Sequence, residues 1–261
     1  DTAKVIEIDT ASLIAEEDTY VSVTKTGYIK RTSPRSFAAS TLEEIGKRDD
    51  DRLIFVQSAK TTQHLLMFTT LGNVIYRPIH ELADIRWKDI GEHLSQTITN
   101  FETNEEILYV EVVDQFDDAT TYFAATRLGQ IKRVEQKEFS PWRTYKSKSV
   151  KYAKLKDETD QIVAIAPIKL DDVLLISQNG YALRFNIEEV PVVGAKAAGV
   201  KAMNLKEDDF LQSAFICNTS SFYLLTQRGS LKRVSTEEIP ATSRAKRGLQ
   251  VLRELKNKPH R

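Results

Sequence analysis

TKTGYIKR (24–31) returns along the chain as TTLGNVIYR (69–77), TRLGQIKR (126–133), SQNGYALR (177–184) and TQRGSLKR (226–233). Anchored on Gly27, Gly72, Gly129, Gly180 and Gly229, the copies are spaced by 45, 57, 51 and 49 residues. Spacings this even mark a repeat architecture rather than scattered turns. The register holds position by position. Three residues before each glycine stands Thr24, Thr69, Thr126, Ser177 or Thr226, and two after it Ile29, Val74, Ile131, Ala182 or Leu231. Four after it come Arg31, Tyr76, Arg133, Arg184 and Arg233.

Each copy reads as a β-hairpin. A run such as LLMFTT (65–70), VLLIS (173–177) or FYLLT (222–226) reaches a glycine able to take positive φ, after which alternation resumes. Asn179-Gly180 is the clearest turn. A further β-like run precedes the hairpins, as in RLIFVQ (52–57), EILYVEVV (106–113), QIVAIAPI (161–168) and FLQSAFI (210–216). Short runs follow them, as in GVKAMNL (199–205) and GLQVLREL (248–255). Four strands in about fifty residues match one blade of a radial β architecture. STLEEIG (40–46) and IHELADI (79–85) promise no more than a helical turn or two. Single blades cannot bury both faces, so the expectation is an all-β fold in which residues 1–261 form one cooperative domain. It is a propeller-like disc of four-stranded blades, with five repeats and, from Gly248 to Arg261, the start of a truncated sixth.

Composition narrows the function. At 41% hydrophobic and 28% charged the chain is globular rather than disordered. No apolar stretch approaches the roughly 18 residues of a membrane span, and the opening residues lack a signal-peptide pattern. The reading is a cytoplasmic protein, with peripheral membrane attachment left open. The chain starts without methionine and stops in mid-pattern, as a piece of a longer protein would. Cys217, the one cysteine, leaves no disulfide and reads as a small buried hydrophobe in AFIC (214–217). His64, His80, His93 and His260 have no metal-ligand spacing, and no nucleophile elbow, P-loop or dinucleotide fingerprint occurs. GAKAAG (194–199) lacks the Gly-Lys-Ser/Thr ending of a phosphate loop and reads as an inter-strand loop. No catalytic residue, metal site or cofactor is therefore expected in this chain.

Lys plus Arg and Asp plus Glu are equal at 37 each, yet the charges fall in phase with the repeat. Just after the hairpin glycines come Lys30 and Arg31, Arg77, Lys132 and Arg133, Arg184, and Lys232 and Arg233. The following loops add Arg35, Arg86, Lys88, Arg143, Lys146, Lys148, Lys196, Lys201, Arg244, Lys246 and Arg247. Acids gather at Asp49 to Asp51, Glu105-Glu106, Asp157-Glu158 and Glu207 to Asp209. Stacked repeats of this kind carry separate positive and negative surfaces, and a basic belt suits double-stranded DNA bound by its phosphates without regard to sequence. The competing readings are basic residues that merely blunt strand edges, and a propeller-like protein-interaction scaffold. Trp87 and Trp142, which do not recur in phase, read as packing residues.

The glycine hairpins ending in Lys-Arg or Arg, the loop in EEIPATSRAKRGLQV (237–251) with its partner EEVPVVGAKAAGVKA (188–202), and the opening DTASLIAEEDTYVSVTKTGYIKR (9–31) resemble a known family. It is the C-terminal domain of bacterial type IIA topoisomerase A subunits, those of DNA gyrase and topoisomerase IV. The resemblance spans essentially the whole chain. It implies a β-pinwheel whose blades exchange strands, and a basic rim that binds and bends duplex DNA for a catalytic core elsewhere. Lys30, Arg31, Lys132, Arg133, Arg184, Lys232 and Arg233 match the family's basic hairpins; Arg143, Arg244, Lys246 and Arg247 match its basic loops. Ile75, Tyr76 and Leu183 depart from the basic pattern. Where gyrase carries a Gln-Arg-Arg-Gly-Gly-Lys-Gly box, this chain has SFAASTLEEIGKRDDD (36–51), which favours the topoisomerase IV branch and weak wrapping. The partners so implied are DNA, the remainder of the A polypeptide as a homodimer, and the B polypeptide in an A2B2 enzyme. That enzyme uses ATP and magnesium outside this chain.

Overall fold

The structure, a computed structural model, describes residues 14–117, 119–218, 221–225 and 231–251. The fifth hairpin glycine, Gly229, lies outside the described residues. The chain divides into two compact units. The first comprises Asp1–Phe68, Val74–Phe116 and Pro141–Ser149; the second comprises Thr69–Asn73, Asp117–Ser140 and Val150–Arg261.

The first unit carries β1 (Asp18–Thr24), β2 (Tyr28–Thr32), β3 (Leu53–Lys60), all but the last residue of β4 (His64–Thr69), all but the first of β5 (Asn73–Pro78), β6 (Glu92–His93) and β7 (Ile107–Val113). The second carries β8 (Thr121–Thr126), β9 (Gln130–Glu135), β10 (Val150–Lys151), β11 (Ile162–Pro167), β12 (Asp172–Ser177), β13 (Tyr181–Asn186) and β14 (Val200–Lys201). β15 (Leu211–Cys217), β16 (Ser221–Leu225), β17 (Leu231–Ser235) and β18 (Leu249–Gln250) complete it. One α-helix, α1 (Pro34–Ala38), and short 3₁₀ turns make up the described helical structure.

The hairpins β1–β2, β4–β5, β8–β9, β12–β13 and β16–β17 are the five sequence repeats. Three sheets share one order: β3-β1-β2-β6 in the first unit, and β11-β8-β9-β14 and β15-β12-β13-β18 in the second. In each, the inner pair is one hairpin and the outer pair flanks the next hairpin in sequence. Neighbouring repeats therefore complete one another's sheets, which is the strand exchange of a β-pinwheel. Leu249–Gln250 pairs with Tyr181–Ala182, the place that Val200–Lys201 takes beside β9. β18 thus takes beside β13 the trailing place that β14 takes beside β9.

The local chemistry explains the repeat. Gly27, Gly72, Gly129 and Gly180 take φ of 105°, 81°, 91° and 88°, where a side chain would be strained. Each glycine N–H donates to the carbonyl three residues earlier. The hydroxyl of that same earlier residue accepts the next N–H: Tyr28 to Thr24, Asn73 to Thr69, Gln130 to Thr126 and Tyr181 to Ser177, at 3.0 to 3.2 Å. The Ser/Thr at this phase thus closes the turn. Central strands bury both faces. On β12, Val173 and Leu175 enter one core cluster with Phe123, Ile131 and Phe185, while Leu174 and Ile176 enter another with Ala182, Cys217 and Val234. The period of two sends alternate residues to two cores, so the strand reads as a continuous apolar run. Cys217 is a buried hydrophobe, as expected.

Candidate nucleic-acid interface

The basic residues divide into two tiers. Lys30 is 2% exposed and Lys132 1% exposed. The Lys30 ammonium donates to the carbonyls of Arg86, Trp87 and Asp89 at 3.1, 2.7 and 2.5 Å. Lys132 donates to those of Tyr152, Gly194 and Ala197 at 2.7, 2.9 and 2.9 Å and reaches Ala195 at 3.4 Å. Burial pushes both ammonium groups down to about 8, against the opposing charges of Asp89 and Glu138 respectively. Arg77, 7% exposed, donates to the carbonyls of Tyr76, Tyr145 and Lys146 and to the Thr97 hydroxyl. Its burial lowers the guanidinium from its ordinary value. These three cations satisfy loop carbonyls and do not face solvent, so they leave the set of candidate phosphate contacts. GAKAAG accordingly turns carbonyls toward a cation, the opposite polarity to a phosphate loop.

The hairpin arginines act similarly. Arg31 Nε donates to Leu82 and Arg133 Nε to Val190, at 2.9 and 2.6 Å, each acceptor closing the 3₁₀ turn after the next hairpin. Arg184 donates Nε to Asp172 at 2.8 Å and Nη1 to the Thr236 carbonyl at 2.9 Å. Where the second repeat has Tyr76 instead, its ring packs edge-on to Tyr145 and near Trp142, both from the loop after the third hairpin. In the first four repeats, the residue four after the hairpin glycine therefore fastens the loop that follows the next hairpin. The backbone of Lys232 and Arg233 lies in β17; their side chains lie outside the described residues.

The second tier is exposed. Arg143, Lys146 and Lys148 stand on the 141–149 loop of the first unit, and Lys246 and Arg247 on the 240–248 loop of the second. Both loops are held from beneath. Arg77 grips the carbonyls of Tyr145 and Lys146, and the Trp142 indole donates to Lys148 O at 2.9 Å. Thr242 N donates to Arg184 O, Ala245 N to Ala202 O, and Asn204 N to Lys246 O. Arg244 is the exception among the loop cations, because it binds Glu189 O and Lys201 O at 3.0 and 2.7 Å. Lys146 shares Glu81 at 3.6 Å in an exposed pair, a weak restraint. Trp87, fully buried, packs under Phe37 and donates to Thr41 O, the packing role expected of it.

The acids are also not all a surface. Asp51, Glu105, Asp160 and Asp209 are 3% to 7% exposed, and each stands two residues before an outer strand. Asp51 accepts from the Thr26 amide and hydroxyl, Asp160 from the Leu128 amide, and Asp209 from the Asn179 amide, at 2.7 to 3.1 Å. In these three, a carboxylate staples the residue before a hairpin glycine. Burial opposes the Asp51 charge, yet hydrogen bonds from Thr24, Thr26 and Arg52 outweigh it and hold the carboxyl below the usual carboxylate range. In the sequence Asp51, Glu105 and Asp209 belong to the acidic clusters expected to form a negative surface, and Asp160 stands outside them. Their common offset from the following strand was the available signal.

Strand-exchanged blades joined by fastened basic loops define the class as a β-pinwheel repeat domain. A family model described as DNA gyrase C-terminal domain, beta-propeller, matches residues 63–114, 121–169, 171–218 and 221–260, and the chain belongs to that family. It is 94% identical over 261 residues to the A polypeptide of DNA topoisomerase 4 from Streptococcus pneumoniae serotype 4, covering 100% of this chain and 32% of that protein. It is 44% identical over 257 residues to the corresponding DNA topoisomerase 4 polypeptide of Bacillus subtilis (strain 168), covering 98% and 32%. The chain thus spans about a third of the length of these relatives. A crystal structure of the C-terminal domain of DNA topoisomerase IV matches with TM-score 0.84 at 41% identity, over 95% of this chain and 76% of that one. The E. coli ParC C-terminal domain shares the fold at TM-score 0.70 and 14% identity, over 90% and 94%.

Proposed function

We propose that this chain is a non-catalytic platform that binds and bends duplex DNA for the A polypeptide of a topoisomerase IV. The observation that carries the reading is the outer tier of cations: Arg143, Lys146, Lys148, Lys246 and Arg247 stand exposed on loops whose backbones are fastened by buried cations or by strand partners. Fixed, solvent-facing Lys and Arg on repeated loops suit a phosphate backbone and offer no element that reads base edges. Bending a site of 20 to 30 base pairs costs about 1 to 6 kcal/mol, which several distributed phosphate contacts can offset. The names of the related proteins support the place of this chain in an A polypeptide. On this reading its partners are duplex DNA, the rest of the A polypeptide as a homodimer, and the B polypeptide, with ATP and magnesium used by the enzyme elsewhere. Arg31, Arg133, Arg184 and Arg244 serve mainly as loop fasteners.

Fluorescence anisotropy of random-sequence duplexes of about 20 and 40 base pairs across a salt series tests the proposal. Log affinity should fall against log salt with a slope of about −5 to −7, as release of counterions from several phosphates requires. The longer duplex should bind more tightly. Weak binding with no salt dependence would instead favour the protein-interaction scaffold.

A further inference from the structure

Resting on the DNA reading, we propose that the cleft between α1 and the 86–88 turn is a phosphate-ester site whose occupant is a phosphodiester of the DNA backbone. The cleft has a volume of about 410 Å³ and is lined by Ser33, Ser36, Ser40, Arg35, Arg86 and Lys88, with no carboxylate among its lining residues. Three cations and three hydroxyls around one concavity supply the donors that a phosphate requires.

The walls are fixed. Phe37 of α1 stacks on Tyr20 with ring centroids 3.9 Å apart and meets Trp87 edge-on at 5.0 Å. The Trp87 amide donates to Ser36 Oγ at 3.1 Å and the indole to Thr41 O at 2.9 Å. A buried tryptophan thus locks the helix to the turn that carries Arg86 and Lys88. Arg35 makes no ion pair among the described residues. Arg86 and Lys88 hold Asp89 and Glu44 at 2.9 and 3.4 Å in exposed pairs, which a phosphate can displace. Phe37 and Trp87 point into the packing, so no aromatic face lines the cleft to stack a base. The recognised element is therefore the phosphate, either in a DNA backbone or as a free ion.

The 261-residue chain and its Ser40→Asp and Arg35→Gln variants would be titrated with a labelled duplex of about 40 base pairs across a salt series. Ser40→Asp places a carboxylate in the cleft while deleting none of the packing contacts of Phe37 and Trp87, and unchanged melting would show that both variants fold. Each should reduce the magnitude of the salt slope by about 1 and weaken binding severalfold near 100 mM salt. Lys169→Ala, an exposed lysine in the other unit, should change neither. Wild-type slopes in both cleft variants would overturn this inference and leave the DNA reading standing. If the wild type itself fails to bind DNA, the DNA reading falls, and amide shifts on adding inorganic phosphate decide the site. Shifts confined to 33–40 and 86–88 would support a phosphate site filled by a small ion, and no shift would overturn it.

Discussion

Arg133 donates its Nε–H to the carbonyl oxygen of Val190 at 2.6 Å, across the gap between the third hairpin and the loop after the fourth. Arg31 repeats the pairing with Leu82 at 2.9 Å. The Lys-Arg signature that dominates the sequence is thus largely an internal fastening, and charge free to meet a polyanion sits one step further out, on the loops so fastened. Spending a buried cation on carbonyls keeps each loop's backbone polar groups satisfied and fixes where the exposed cations stand.

Removing a buried lysine should cost stability rather than affinity. Lys132→Met removes the lysine donor from the Tyr152 carbonyl and leaves the Gly194 and Ala197 carbonyls with only the Ala197 and Lys154 amides. A loss of about 3 kcal/mol is expected, and a melting temperature lower by roughly 6 to 12 °C. Duplex affinity of the folded protein should stay within about twofold. Calorimetry and anisotropy on the same sample check both halves, and lost affinity with unchanged melting would reverse the assignment.

The alkaline limb of stability follows from the same groups. Burial lowers Lys30 and Lys132 from 10.5 to about 8, so between these values the folded chain has shed protons that the unfolded chain still holds. Their contribution is full above the unfolded value and is lost as pH falls through 8. Unfolding free energy should therefore rise from pH 8 toward 10, and less so in Lys30→Met. Tyr76 and Tyr145, raised by burial to about 12, act oppositely only above pH 10. Denaturant titrations at pH 8, 9 and 10 would show the trend; a flat or falling wild-type series contradicts it.

At the acid end, Asp51 is held below the ordinary carboxylate range by its hydrogen bonds, so its contribution is present above the unfolded value and is lost as pH falls below about 4. Asp51→Asn should cost about 1 to 2 kcal/mol at neutral pH and flatten the acid limb. Urea midpoints from pH 2 to 7 in both proteins measure it. Parallel curves would show that the carboxylate charge is not what closes the hairpin.

Gly199 sits at φ 94°, and a Cβ there would stand 2.3 Å from the Ile131 carbonyl oxygen. Gly248 meets Ala182 O at 2.2 Å in the same way one repeat later. Gly199→Ala should cost more than about 2 kcal/mol, through the combined strain of conformation and clash. Thermal melting reads it directly, and a neutral effect would mean that β14 lies further from β9 than this close approach requires.

The hairpins were legible because three separate requirements recur in phase: a positive φ, a hydroxyl to close the turn, and a basic residue to fasten a loop. The direction of the charges was not legible from composition. Lys30 and Arg31 are adjacent in a strand, so their side chains leave opposite faces, and the structure buries Lys30 while leaving Arg31 half-buried. Helix α1 escaped detection because SPRSFA (33–38) has no helical periodicity. Its five residues are held by the Ser33 cap and by Trp87, about fifty positions away. The basic cleft beside it has the same long-range origin.

Duplex binding by charge-reversed proteins tests the two-tier arrangement most directly. Lys246→Glu/Arg247→Glu and Arg143→Glu/Lys148→Glu should each weaken binding of a duplex of about 40 base pairs at least tenfold near 100 mM salt, with a shallower salt slope and unchanged melting. Arg133→Gln should lower the melting temperature while leaving the slope as in wild type. Loop variants that bind like wild type, beside an Arg133 variant that melts normally but no longer binds, would contradict the account and return the interface to the hairpins.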